Sequence, residues 1–295
     1  MRYISVTDAA KKWGISERSV RNYCANGRVV GARLVGKIWE LPETAQKPAR
    51  AVRSDKKSTL LHILREQKAA RLSGGIYHKI QIDLTYNSNH IEGSRLTHDE
   101  TRFIFETNTI GIKDSVVNVD DILETSNHFR CIDFVIDNAE KMLTEEYIKE
   151  LHFLLKVGTS DSRRDWFSVG DYKRLPNEVG GVDTTAPEEV SREIKTLLAS
   201  YNRKKDITIE DIIAFHLAFE RIHPFQDGNG RVGRLIMLKE CLKHNITPFI
   251  IDEEHKLFYY RGLKEWDTER GYLIDTCLSA QDKFKVILKK FNIEI

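Results

Sequence analysis

Cysteine and proline are scarce in this chain: 295 residues hold four cysteines and six prolines. Cys24, Cys131, Cys241 and Cys277 are scattered, and no C-x-x-C pair occurs. That excludes a disulfide-stapled scaffold and reads as buried free thiols in a reducing compartment. No apolar run reaches the length of a membrane span, so no membrane partner is expected. The opening MRYISVTDAAKKWG lacks the apolar segment of a signal peptide, and the expectation is a cytoplasmic protein. Internal repeats and low-complexity tracts are missing. So is G-x-x-x-x-G-K-S/T, which removes a P-loop nucleotide site.

What is present suffices for one large domain or two smaller ones, with 31% charged and 41% hydrophobic residues. The net charge of +2 conceals an asymmetry. Residues 1–57 hold 13 of the 46 Lys/Arg and 5 of the 44 Asp/Glu, a net of +8. The remainder holds 33 against 39, a net of −6. A small basic segment on a large acidic one hints at nucleic acid or another acidic partner.

Residues 47–57, KPARAVRSDKK, contain no Leu, Ile, Phe or Tyr and read as a linker between domains at 1–46 and 58–295. In the first, Thr7 can cap a helix from Asp8 to Trp13, ended by Gly14. Ser16 can cap a second, Glu17 to Ala25, ended by Gly27. Val29-Val30, Arg33–Val35 and Ile38–Leu41 are β-prone, with a hinge at Gly36-Lys37. Helix, glycine turn, helix, hairpin is a winged helix-turn-helix pattern. It resembles the winged helices of excisionase and MerR-type regulators. Its candidate DNA contacts are Arg18, Ser19, Arg21 and Asn22 on the second helix, with Arg33 and Lys37 on the wing.

The rest is mainly α in pattern. Helices are predicted at about 121–142, Thr144–Leu155, and Pro187 to about 202. Another runs from Thr208, where Asp211 completes a capping box. The segment 161–186 has aromatics, β-formers and Gly180-Gly181, and reads as loop and hairpin.

Chemistry concentrates in His223-Pro224-Phe225-Gln226-Asp227-Gly228-Asn229-Gly230-Arg231-Val232-Gly233-Arg234. Pro224 disfavours helical geometry at His223, so the preceding helix ends there with His223 facing a loop. A glycine-rich turn opening the next helix, Val232 to His244, gathers backbone N–H groups into a phosphate-suited anion site. Arg231 and Arg234, three apart, share a helical face and can hold further phosphates. Asp227 beside such a cradle suits Mg²⁺. The spacing Gly228-x-Gly230-x-x-Gly233, with Asp252 downstream, also fits a dinucleotide fingerprint. That fingerprint needs a preceding buried strand, whereas here a helical period leads in.

The run H-P-F-x-D-G-N-G-R-x-x-R matches the signature of Fic-domain proteins without a mismatch, and the resemblance extends over about 58–295. It implies a Fic-type helical domain with a β-hairpin flap, here near Val169–Arg174, docking target peptides by strand addition. Tyr260, in Tyr259–Leu263, resembles the segment bordering the nucleotide base. Ser88-Asn89-His90-Ile91-Glu92-Gly93 resembles the inhibitory S/T-x-x-x-E-G/N motif, on a helix near 85–93. Ser88, Glu92 and Gly93 carry that match.

The resemblance implies a protein adenylyltransferase moving AMP from ATP to a Ser, Thr or Tyr hydroxyl of a target protein, and to itself. His223 would be the base, Asp227 the Mg²⁺ ligand, and the N–H groups of Gly228, Asn229 and Gly230 the anion hole, with the Asn229 side chain as a further donor. Arg231 would meet the polyphosphate and Arg234 the γ-phosphate, until Glu92 takes Arg234. Phe225 would point into the core. Self-association into a homodimer is a further expectation. Competing readings are removal of AMP, phosphocholine transfer, and a DNA-binding regulator using the fold as a nucleotide sensor. Gly230 argues against the phosphorylating Doc branch, which has lysine there.

Overall fold

The computed structural model describes residues 2–25, 28–36, 38–48, 59–111 and 116–294. The chain divides into two compact units, Met1–Lys56 and Lys57–Ile295.

The first unit opens with β1 (Tyr3–Ser5), α1 (Val6–Trp13) and α2 (Glu17–Ala25), then β2 (Arg33–Val35) and β3 (Ile38–Pro42). The strands form one antiparallel sheet in the order β1-β3-β2, with Ile4 opposite Leu41 and Leu34 opposite Trp39. α1 starts two residues earlier than the sequence suggested. Ser5, not Thr7, caps it by accepting the Asp8 N–H at 3.1 Å. Ser5 stands three residues before that N–H, the separation a capping hydroxyl needs. Gly14 ends α1 in the left-handed region at φ 64°. Val29-Val30 forms a bend and turn in place of a strand. The core is Val6, Ala9, Ala10, Trp13, Val20, Cys24, Val29 and Leu41. Lys47 donates to the Trp13 carbonyl at 3.2 Å. Gly27, Lys37 and the rest of the expected linker beyond Pro48 lie outside the described residues.

The second unit is helical: α3 (Leu60–Ala69), α4 (Ile76–Ile91), α5 (His98–Thr107), α6 (Val119–Asn138), α7 (Glu145–Lys156), α8 (Pro187–Asn202), α9 (Ile209–Ile222), α10 (Asn229–Lys243), α11 (Glu253–Lys264) and α12 (Gly271–Lys290). Local chemistry sets the boundaries. Thr144 caps α7, Pro187 opens α8, and Thr208 with Asp211 closes a capping box on α9. α10 is buried on nearly every face, from Val232 through Leu242, and packs against α4, α6, α7 and α9. A helix buried all round sits at the centre of the bundle, and its charged residues Arg231, Arg234, Lys239 and Glu240 are paired there. A Cβ on Gly233 would lie 2.6 Å from His216 Nδ1, so this glycine lets α9 and α10 approach closely. All four cysteines are buried and free.

The hairpin lies further along than the flap expected at Val169–Arg174. β4 (Glu178–Val179) pairs with β5 (Val182–Asp183) about Gly180 and Gly181, at φ 60° and 78°. A type I′ hairpin turn has two positive φ values, which a Gly-Gly pair supplies without strain. Residues 169–174 are a turn, bends and irregular backbone, with the Gly170 N–H given to His152 Nδ1 at 3.0 Å. Among the described residues, no helix is long and apolar enough to cross a membrane.

Candidate active site

His223 sits where α9 stops. It is left-handed, at φ 50°, and its N–H still closes the helix onto the Phe219 carbonyl at 2.9 Å. Positive φ at a residue other than glycine is strained and is held here by Pro224 and the packed loop after it. His223 Nδ1 lies 3.3 Å from the Glu220 carbonyl. A carbonyl only accepts, so Nδ1 carries the proton and Nε2 keeps a free lone pair. Burial lowers the imidazole pKa, partly offset by that carbonyl. The neutral, basic form therefore dominates at pH 7.

Two internal clamps shape the next five residues. Phe225 is fully buried, as its sequence position suggested, and stacks on His152 at 3.9 Å with ring planes 6° apart. Asn229 accepts the Phe225 N–H at 2.8 Å through Oδ1 and donates to the Phe225 carbonyl at 2.8 Å through Nδ2. One Nδ2 hydrogen is thus engaged inside the loop, and the expected role as a further anion donor falls to the second. The buried amide thereby ties the start of α10 back to Phe225 across the turn. Gly228, left-handed at φ 81°, precedes α10, and its N–H serves the Asp227 carboxylate. The first-turn N–H groups of Asn229, Gly230 and Arg231 have no intrahelical acceptor, which makes this helix start a ready anion cradle.

Asp227 and Arg231 belong to a larger charge cluster. Arg231 Nη2 donates to Asp227 Oδ2 at 3.0 Å, and its Nη1 to Glu124. Lys156 Nζ donates to Asp227 Oδ2 at 2.7 Å, to Asp161 Oδ2 at 2.8 Å and to Glu124. Burial alone would raise the Asp227 carboxyl, but Arg231, Lys156 and the Gly228 N–H hold it well below its ordinary range. Carboxylate oxygens of Glu124, Asp161 and Asp227 lie within 4.8 Å of one another, a hard-oxygen donor set. Sequence reasoning missed Glu124, Lys156 and Asp161. Nothing local marks them, since each is one more charged residue on or beside an amphipathic helix.

Arg234 faces elsewhere. Its Nε donates to Ser88 Oγ at 3.0 Å, and Nη2 to the Ser88 carbonyl at 3.0 Å and Glu92 Oε1 at 2.6 Å. Arg231 and Arg234 thus share a helix yet serve different partners. Glu92 caps the end of α4, and Gly93 at φ 97° turns the chain away, a geometry that selects glycine. The Glu92 carboxylate reaches the start of α10 so closely that a Cβ on Gly230 would collide with it. A carboxylate already sits at the helix N-terminus. Behind Arg234, His216 Nε2 lies 2.5 Å from the Tyr259 hydroxyl. Burial raises the Glu220 carboxyl to about 8, with Arg234 opposing and Glu92 adding. Tyr260 on α11 is half exposed and donates to the Ile91 carbonyl at 3.1 Å, one residue from Glu92.

In the first unit, Arg18, Arg21 and Asn22 are exposed on α2, but Arg21 is paired with Glu17 at 2.6 Å. Ser19 Oγ lies 2.9 Å from Ser16 Oγ. Arg33 is paired with Glu40 at 2.8 Å and stacks 3.9 Å from the Tyr3 ring. The hairpin bares apolar Leu34, Val35 and Ile38, unlike a basic wing.

Residues 142–241 match the Fic/DOC family. A Fic domain containing signaling protein from Bacteroides thetaiotaomicron superposes with a TM-score of 0.61 at 24% identity, covering 76% of this chain and 92% of that one. The larger unit has the Fic fold. Fic-1 from C. elegans superposes equally well, at 0.61 and 19% identity, over 78% of this chain and 69% of its own. The chain is also similar in sequence to the protein adenylyltransferase Fic of Aedes aegypti, 28% identical over 182 residues. That match takes in 61% of this chain, which spans about a third (36%) of the relative's length.

Proposed function

We propose that the chain is a protein adenylyltransferase transferring AMP from ATP to a Ser, Thr or Tyr hydroxyl of a target protein, held in check by Glu92. The observation that carries this reading is the carboxylate of Glu92 seated at the start of α10 and bonded to Arg234 at 2.6 Å. A position that stabilises one anion suits another, and a γ-phosphate has the charge and reach to replace the carboxylate.

The residues divide the work. The target hydroxyl oxygen attacks the α-phosphorus, its proton passes to His223 Nε2, and pyrophosphate leaves. First-turn N–H groups of α10 stabilise the charge that develops on the phosphate oxygens. Arg234 pairs with the γ-phosphate once Glu92 withdraws, and Arg231 borders the chain of phosphates from beside Asp227. Asp227 suits Mg²⁺ because its Oδ2 is anchored to Lys156 and Arg231 while the carboxylate remains about half exposed. When held by Asp227, Mg²⁺ would supply positive charge that offsets the charge developing on the phosphates. Tyr260 borders the base, and the hairpin about Gly180-Gly181 receives the target segment as an added strand.

The test incubates wild type, Glu92→Gly and Glu92→Gly/His223→Ala with labelled ATP and a cell lysate. The expected result is a gain of one AMP on target protein and on the chain itself, strongest with Glu92→Gly and absent from the double variant. A phosphate or phosphocholine adduct would replace this reading, and loss of AMP from a modified target would make Glu92 part of a removal reaction. DNA contact by the first unit rests on Arg18, Arg21 and Asn22, exposed together on α2. A gel shift of the full chain in a salt series tests it, because phosphate contacts must weaken with salt.

A further inference from the structure

The Lys156 side chain is 1% exposed, and its ammonium donates to three carboxylates, Glu124, Asp161 and Asp227. The fully buried end of α7 is an expensive place for a charge, repaid only where partners are complete. Two cations meet at Asp227 Oδ2, Lys156 Nζ at 2.7 Å and Arg231 Nη2 at 3.0 Å. With both lone pairs of that oxygen taken, the Gly228 N–H falls to Oδ1, which keeps one lone pair for a further cation. The same ammonium stands among the donor atoms of Glu124 and Asp161, which with Asp227 would otherwise make a three-carboxylate chelate for a hard cation.

We infer that Lys156 is a positioning residue that confines a divalent cation to one oxygen of Asp227, so that the metal binds with the nucleotide and not ahead of it. The inference rests on the Mg²⁺-ATP reading of the site. A single carboxylate oxygen is a weak Mg²⁺ site, and the remaining ligands must come from phosphates and water. Three convergent carboxylates would hold the ion alone, in a position set by Glu124 and Asp161 instead of by ATP.

The probe is Mn²⁺, which shares Mg²⁺'s oxygen preference and is counted directly by its paramagnetic resonance. Nucleotide-free full-length chain is titrated as wild type, Lys156→Met and Lys156→Met/Glu124→Gln, each checked for folding by circular dichroism. Wild type is expected to bind Mn²⁺ tightly only after a non-hydrolysable ATP analogue is added. Lys156→Met is expected to bind it without nucleotide roughly 10–100-fold more tightly than wild type, because the ammonium that repels the ion and occupies the three carboxylates is gone. The double variant should lose most of that gain. A folded Lys156→Met with wild-type Mn²⁺ affinity overturns the inference. So does a wild type that binds Mn²⁺ equally well with and without the analogue, a result that stands even if neither variant folds. Neither readout involves AMP transfer, so failure of the transfer assay with these results intact counts against the proposed reaction alone.

Discussion

Glu92 Oε1 accepts a hydrogen bond from Arg234 Nη2 at 2.6 Å across 142 residues of chain, joining the end of α4 to the first turn of α10. Ser88 adds two further acceptors to the same guanidinium. The arginine is almost fully buried and the glutamate 30% exposed. A charged hydrogen bond of this kind is worth about 1.5–3 kcal/mol. Glu92→Gly should therefore raise AMP transfer roughly 10- to 100-fold. Ser88→Ala should raise it less, since the Ser88 carbonyl contact survives. Initial rates with labelled ATP check both, and an unchanged rate for Glu92→Gly removes Glu92 from regulation.

His223 should act in its neutral form. Burial lowers its pKa below the ordinary imidazole value, so the base is active at pH 7. In the Glu92→Gly background, the transfer rate should rise with pH below 6.5 and then level off. His223→Ala should cost roughly 10²–10⁴-fold in rate while leaving nucleotide affinity within a few-fold. A pH–rate profile and an equilibrium titration with an ATP analogue separate the two effects.

Stability should peak near pH 6.5. His128, His152 and His216 are buried neutral, burial lowering each to about 3. The unfolded chain binds more protons at these positions below pH 6.5, so stability falls as acid is added. Glu220 behaves oppositely, because burial raises it to about 8. There the folded state holds the extra proton, and stability falls by about 1.4 kcal/mol per unit as pH rises toward 8. Glu220→Gln should flatten the melting temperature between pH 6.5 and 8 and steepen the acid limb between 4.5 and 6.5, where Glu220 opposes the three histidines. A decline that persists in Glu220→Gln would assign it to another group.

Gly262 on α11 faces α12 at close quarters, where an added Cβ would lie 2.6 Å from Leu273 Cα. Backbone cannot swing aside as a flexible side chain can. Gly262→Ala should destabilise by about 1–3 kcal/mol through overpacking, and disturb Tyr259 and Tyr260 nearby. Denaturant unfolding gives the size, and a midpoint equal to wild type would contradict the close approach.

Much of the helical frame was legible along the chain, because caps and breakers act within a few residues. Thr208 with Asp211, Pro187, Thr144 and Pro224 each fix a boundary through their own neighbours. Ser5 shows the limit: two hydroxyls competed for one helix start, and the one three residues ahead of Asp8 prevailed. The flap expected at 169–174 came from the resemblance alone, and the strands form instead about Gly180-Gly181, where the residues' own pattern already read as loop and hairpin. The sequence by itself determined the motif from His223 to Arg234, the placement of its glycines, and Glu92 as the residue to watch. Tertiary structure alone decided which partners those side chains meet. Arg231 turns to Glu124 and Asp227, Arg234 to Ser88 and Glu92, Asn229 inward to Phe225, and Lys156 into a cluster of acids drawn from three segments. Capping acts over a turn of helix, whereas a buried charge finds its partner only once the helices that carry both have packed.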